Sequence, residues 1–127
     1  MGNLGKFNGR IKSMSEKARD LVHKISNEMW NAQQFQLCDT LLDKHFLLHL
    51  PKTSLHGRDA YKQATKNWLE KYPNIHYEVK DIVAQENKIA VRWEGHDKAK
   101  DFSYKGQTFL LINNSKVKEA WEISDGD

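Results

Sequence analysis

The chain has one cysteine, Cys38, so no internal disulfide can form and no metal site can rest on clustered thiolates. It has two prolines, Pro51 and Pro73, and no repeat, low-complexity tract or linker that would divide it. Long apolar runs are missing as well. Nothing approaches the roughly 18 residues that a membrane-spanning helix needs, and the N-terminus lacks the apolar stretch of a signal peptide. The expectation is a cytoplasmic protein with no membrane association. An excess of one charge is absent too: the net charge is +3 over 127 residues. Six Lys or Arg (Lys6, Arg10, Lys12, Lys17, Arg19 and Lys24) face only Glu16 and Asp20 in the first 24 residues, giving +4 there and −1 elsewhere. No nucleic-acid motif accompanies this basic stretch, and nucleic acid is not expected as a partner. "MGNLGK" opens like a myristoylation signal, but Lys6 stands where that signal has Ser or Thr. Residues 1–14 therefore read as a basic arm before a single domain, 15–127, which is long enough to bury a core.

Periodic apolar segments define the elements. Ser13 and Glu16 form a capping box, and Ala18, Leu21, Val22, Ile25, Met29 and Trp30 recur at spacings of three and four, predicting a first helix. A short second helix is expected over 35–42, where Leu37, Leu41 and Leu42 give one apolar side and Cys38 packs as a small hydrophobe. "HFLLHL", 45–50, reads as a strand stopped by Pro51. A third helix comes after Gly57 and carries Ala60, Tyr61, Ala64, Trp68 and Leu69 until Pro73.

From Ile75 the period becomes two. Ile75, Tyr77 and Val79 alternate with His76, Glu78 and Lys80, and "ENK" turns the chain into Ile89, Val91 and Trp93. "FSYKGQTFLLI" predicts a central strand, apolar on both sides at 109–112 and covered on both faces. "NNSK" turns into a last strand ending in "AWEISDGD". There, period-2 geometry puts Asp125 on the face of Trp121 and Ile123, taken as the core side. The fold class is α+β: three N-terminal helices on the concave face of a strongly curved, mainly antiparallel sheet, a cone-shaped barrel of cystatin-like form.

Five features in order carry a resemblance: Trp30-Asn31 at the end of the first helix; Phe46 and His49 on the first strand; Gly57-Arg58 at a helix start; "YPNIHYEVKDIVAQENKIAVRW", 72–93; and "KVKEAWEISD", 116–125. In these the chain, from about Lys17 to Asp125, resembles the SnoaL-like polyketide cyclase family of the nuclear transport factor 2-like superfamily. The resemblance implies three helices and a bent sheet around a pocket, with a homodimer through the outer sheet face, where Arg92 and Glu94 lie opposite to Trp93. It implies a general acid/base at Asp125, four residues after the strand tryptophan. The stretch between Trp93 and Val117 is shorter than in typical cyclases, and their threonine-histidine segment has no match here; His96 lies nearby. Leu48 stands where relatives carry a polar residue. One superfamily scaffold also hosts isomerases, dehydratases, hydrolases and non-catalytic binders.

The candidate catalytic residues are Asp125 and His49. A carboxylate in a partly apolar cavity loses solvation and gains basicity, which suits proton abstraction next to a carbonyl; the alternative for Asp125 is a solvated strand end. His49 shares a strand side with Leu47 and His45, and either hydrogen-bonds a substrate oxygen or orients Asp125; the alternative is a histidine satisfied by a backbone carbonyl at the sheet edge. Trp93, Trp121, Tyr77 and Trp30 are the candidate pocket aromatics, with Trp68 a further large ring; the alternative is plain core. Glu119 is a second candidate carboxylate, or an edge residue paired to Lys or Arg. His45 and His49 are about 13 Å apart along a strand, and His56, His76 and His96 are scattered, so no metal and no cofactor are expected. The function expected is binding of a hydrophobic small molecule with acid/base proton transfer on a carbonyl compound; the alternative is a non-catalytic ligand-binding or scaffolding module.

Overall fold

The structure is a computed structural model that describes residues 12–126; the basic arm lies mostly outside the described residues. Its last residue, Met14, already belongs to the first helix, α1 (Met14–Lys24), and Ser13 caps it. The Ser13 hydroxyl accepts from the Glu16 amide at 3.1 Å and the Ser13 amide donates to the Glu16 carboxylate at 3.1 Å, so the capping box forms as its sequence signature predicts. Lys12 pairs with Asp20 on the exposed side. Ala18 and Val22 are buried, and the helix then widens into a π-helical segment, Ile25–Asn31, that buries Ser26 and Met29. Asn31 ends this segment by bonding a backbone as a strand would: its Nδ2 donates to the Tyr77 carbonyl at 2.9 Å and its Oδ1 accepts from the Tyr77 amide at 2.8 Å.

The second helix is shorter than expected. A single 3₁₀ turn, Phe35–Leu37, leads into α2 (Cys38–Leu41), and strand β1 (Leu42–His49) starts three residues before the predicted position. Leu42 is buried from the strand, not from a helix face. After Pro51 the chain returns as β2 (Ser54–His56), a strand the sequence pattern does not announce because three residues show no period. Gly57, at φ 95°, turns the chain into α3 (Arg58–Lys71), a left-handed conformation that favours glycine. Arg58 Nη1 donates to the carbonyls of Asp39 (3.1 Å) and Leu42 (3.3 Å), tying the α3 start to the α2 end.

β3 (His76–Gln85), β4 (Lys88–Asp97), β5 (Phe102–Asn113) and β6 (Lys116–Ser124) form the antiparallel run predicted from the change of period. The six strands lie in the order β2-β1-β6-β5-β4-β3, and only β1 with β6 is parallel. Three helices pack on one face of this curved, unclosed sheet. Asp97, fully buried, accepts from the Asn74 and Lys100 amides at 3.2 and 3.1 Å and so anchors both loops at that end.

The last strand faces the opposite way from its period-2 reading. Leu111 pairs with Glu119 but Ile112 with Val117, so Lys118 is an extra residue and the strand bulges. The bulge lets Val117 and Ala120, three apart, both point inward and be buried at 1% exposure, while Trp121 is 39% and Ile123 70% exposed. The core side of β6 is Val117, Ala120 and Glu122. β5 is central, as expected, but only its inner face is covered within one chain: Phe109 is 39% exposed on the outer face.

Candidate functional site

Between helices and sheet lies a cavity of about 130 Å³ that opens toward solvent. Its walls come from α1 and the π segment (Val22, Ile25, Met29, Trp30), from β1 (Phe46, Leu48), from α3 (Tyr61) and from the inner faces of β3 to β6. Two glycines make room for the rings. A Cβ on Gly95 would stand 2.8 Å from the Tyr77 ring and 2.9 Å from that of Tyr104; one on Gly106 would stand 2.5 Å from the Trp93 indole.

Among the described lining residues Glu122 is the one carboxylate, and none is Lys, Arg or His. Glu122 is held by a directed relay. The Trp93 indole N–H donates to the Thr108 hydroxyl at 2.9 Å, and Thr108 donates to Glu122 Oε1 at 3.1 Å. Because an indole can only donate, the Thr108 proton is free to turn toward the carboxylate. The same device recurs twice. The Trp30 indole donates to the Tyr61 oxygen at 3.1 Å, and the Trp68 indole to the Tyr77 oxygen at 2.9 Å; Tyr77 in turn shares a proton with Tyr104 across 2.6 Å.

Burial is the main reason that these phenols hold their protons into alkaline solution. It pushes Tyr77 up to about 12, against the hydrogen bonds from Tyr104 and Trp68, which favour the phenolate. Tyr61 and Tyr104 are pushed up still further by burial, and the negative charge of Glu122 adds to the shift in all three. A phenol of ordinary acidity is already protonated at neutral pH, where the cavity presents O–H donors around one carboxyl group, and burial extends that state into alkaline solution.

Trp30, Tyr77 and Trp93 line this cavity. The structure does not bring the other predicted residues into it. Trp121, Glu119 and His49 lie together on the outer face, a correction whose cause is the bulge in β6 and the turning of Phe46 and Leu48 inward on β1. There His49 Nε2 is 2.6 Å from Glu119 Oε2, its Nδ1 is 3.5 Å from the Ser54 hydroxyl, and its ring stacks on Trp121 at 5.2 Å between centroids. Glu119 is therefore paired to histidine, not to Lys or Arg. Asp125 is exposed past the end of β6, where its carboxylate accepts from the Lys105 amide at 2.8 Å. His96 also faces outward, its ring 3.5 Å from Glu94 and 3.8 Å from Glu78. The ligand atoms these three residues could offer a metal lie within 4.8 Å of one another. Lys80 stands 3.6 Å from Glu78, and Lys105 is paired across strands with Glu94, so cations of the chain itself sit beside these acids.

Sequence reasoning missed Glu122, Thr108, Tyr61 and Tyr104 as site residues. One signal was available for Glu122: it stands two residues after Ala120, whose small side chain suits a crowded inner face beside larger neighbours.

A helical layer over a curved six-stranded sheet, with an apolar cavity between them that carries one carboxylate among its described lining residues, defines an α+β scaffold with a concave, apolar interior. The family model for the SnoaL-like polyketide cyclases matches residues 20–126, and the chain belongs to that family. No curated protein matches it. Solved structures do, at identities that speak for the fold alone. A protein from Jannaschia sp. CCS1, classed as a SnoaL-like polyketide cyclase, has a TM-score of 0.79 at 13% identity, with 92% of each chain covered. One from Kribbella flavida DSM 17836, classed as a ketosteroid isomerase, has a TM-score of 0.74 at 20% identity, covering 87% of this chain and 78% of that one. An NTF2-like protein of unknown function from Cytophaga hutchinsonii has a TM-score of 0.71 at 15% identity, covering 94% and 95%.

Proposed function

We propose that this protein binds a hydrophobic small molecule in the cavity and transfers a proton at a carbon next to its carbonyl group, with Glu122 as the acid/base. The observation that carries this reading is the placement of Glu122 on the cavity wall, held by the Trp93–Thr108 relay and surrounded by the hydroxyls of Tyr61, Tyr77 and Tyr104. A carboxylate fixed in an apolar space can take a proton from carbon, and phenolic donors can stabilise the charge that develops on the carbonyl oxygen. Asp125, the position implied by family resemblance, is assigned a rim role instead, because its carboxylate is exposed and engaged by a backbone amide.

The test is exchange of hydrogen for deuterium next to the carbonyl of an enolisable ring ketone, monitored by NMR in D₂O. Glu122→Gln is expected to lower the exchange rate by about a hundredfold or more, and Asp125→Asn to leave it within about twofold. The reverse pattern would return the role to Asp125. Exchange no faster than buffer with the unsubstituted protein would favour a non-catalytic binding module.

The same reading includes a homodimer through the outer sheet face. Val83, Ala90, Phe109, Trp121 and His49 form one cross-strand row there, with Val83 67% exposed. Four apolar side chains in a row, with His49 at its end, are characteristic of an interaction surface. A cytoplasmic location suits the free, buried thiol of Cys38; no helix among the described residues is long and apolar enough to cross a membrane.

A further inference from the structure

We infer that the ligand of this cavity is a single-ring compound whose one essential polar group is an oxygen that accepts hydrogen bonds. The inference rests on the proposed function for the site and narrows it: it sets a size and a donor–acceptor pattern that neither the fold nor the family fixes.

Size comes first. The cavity is about 130 Å³, close to the engineered cavity of about 150 Å³ that stays dry and takes up benzene. One six-membered ring with a small substituent fills such a space. A second fused ring has to lie in the part that opens to solvent, and a third outside it. The walls cannot yield easily: the Trp93 ring lies on the Gly106 backbone and the Tyr77 and Tyr104 rings on Gly95, each closer than a Cβ would permit. Packed interiors resist such expansion.

Polarity is set by the count of protons. The Tyr61 oxygen receives a hydrogen bond from the Trp30 indole, which directs its own proton elsewhere, to the Thr65 hydroxyl or to a ligand oxygen. Tyr77 and Tyr104 have two phenolic protons between them; one lies between their oxygens, and the Trp68 indole supplies a further donor to Tyr77, so the second phenolic proton is left to be donated. Three indoles, fixed in the aromatic cluster, thus turn the hydroxyls they cap into donors. The acceptor at hand is Glu122, already receiving the Thr108 proton. A ligand oxygen with two lone pairs satisfies two phenols at once, as a ketone or enolate oxygen does. A charged ammonium would meet the carboxylate but leave the phenolic donors competing with it for the same group.

Three of the four tryptophans provide the test, because Trp30 and Trp93 line the cavity while Trp121 is on the outer face. Their assigned indole N–H signals in ¹H–¹⁵N spectra of the full chain are monitored during titration with cyclohex-2-enone, the two-ring 1-tetralone and the three-ring anthrone. Cyclohexenone is expected to move Trp30 and Trp93 to saturation with Trp121 fixed, and anthrone to leave Trp93 in place. Tyr61→Phe is expected to weaken cyclohexenone by about fivefold and cyclohexene, which lacks the oxygen, by less than twofold. Anthrone binding more tightly than cyclohexenone while moving the same two signals would overturn the size limit. Equal losses for ketone and hydrocarbon in the Tyr61 variant, or no movement of Trp30 and Trp93 with any ketone, would overturn the polar pattern. Cyclohexenone that binds as expected without deuterium exchange would remove the proposed proton transfer and leave this inference standing; anthrone bound and exchanged would do the opposite.

Discussion

Gly106 faces Trp93 across neighbouring strands, and the indole occupies the space where a side chain would be: a Cβ at 106 would stand 2.5 Å from the indole Cζ2 and 2.7 Å from the Ile123 carbonyl oxygen. The first contact belongs to a buried ring and the second to backbone, so neither can yield without shifting β6 or the cavity wall. Gly106→Ala is expected to destabilise the fold by about 2–3 kcal/mol, seen as a fall in melting temperature of about 8 °C or more. A loss below about 0.5 kcal/mol would show that Trp93 swings away freely.

Thr108 joins Trp93 to Glu122, so replacing it with valine keeps its shape while leaving the indole N–H without its acceptor and removing one donor from the carboxylate. The expected cost of Thr108→Val is about 1–3 kcal/mol by urea denaturation, with Thr108→Ser keeping most of the stability. Equal stability for valine and serine would mean that water replaces the hydroxyl.

Alkaline pH should loosen the fold through its buried phenols. Burial keeps Tyr77 protonated up to about 12 in the folded chain, against an ordinary value of 10.0. Below pH 10 both states carry the proton and this stabilisation is complete. Between 10 and 12 the unfolded chain holds fewer protons, so stability falls by about 1.4 kcal/mol per pH unit for each such group. Tyr61 and Tyr104, shifted in the same direction, steepen the fall. Urea midpoints at pH 9, 10 and 11 would track it, and a flat series would contradict the burial of these hydroxyls.

Outward aromatic side chains carry the predicted assembly. Phe109 and Trp121 are direct cross-strand partners in the middle of the outer face. Sedimentation at micromolar concentration should give twice the 14.8 kDa chain mass for the unsubstituted protein, and the chain mass for Phe109→Asp with Trp121→Asp. An unsubstituted protein that sediments at 14.8 kDa would end the proposal.

Local, short-range signals in the sequence translate well into structure. Ser13 with Glu16, the alternations from Ile75 to Val79 and from Ile89 to Trp93, and Gly57 before α3 each depend on neighbours within a few residues, and each takes the expected form, while between the two alternations β3 shifts register after Val79. Signals that depend on a partner strand do not. Trp121 and Ile123 look like core residues because they are large and apolar, yet the extra residue Lys118 in the β5–β6 ladder reverses the parity, and Ala120 and Glu122 face inward. A bulge is invisible to periodicity within its own strand, because nothing in "KVKEAWEIS" says where the partner pauses. Asp125 reads as inward for that reason, and Glu122 escapes notice. His49 misleads differently: its strand has large apolar residues on both sides, so alternation alone leaves open which side meets the helices.

The π-helical turn at Ile25–Asn31 has a genetic consequence. Such a segment is an α-helix carrying surplus chain in one turn, so it records a length as well as a shape. Each residue of an α-helix advances about 100° around the axis. Removal of one codon here would let the segment relax to ordinary winding and rotate its C-terminal end by about that angle. Trp30 would leave Tyr61, and Asn31 would leave the Tyr77 backbone. Single-residue deletions, harmless in most surface loops, are therefore expected to be poorly tolerated between 25 and 31, while conservative substitutions at exposed Asn27 and Glu28 pass unnoticed.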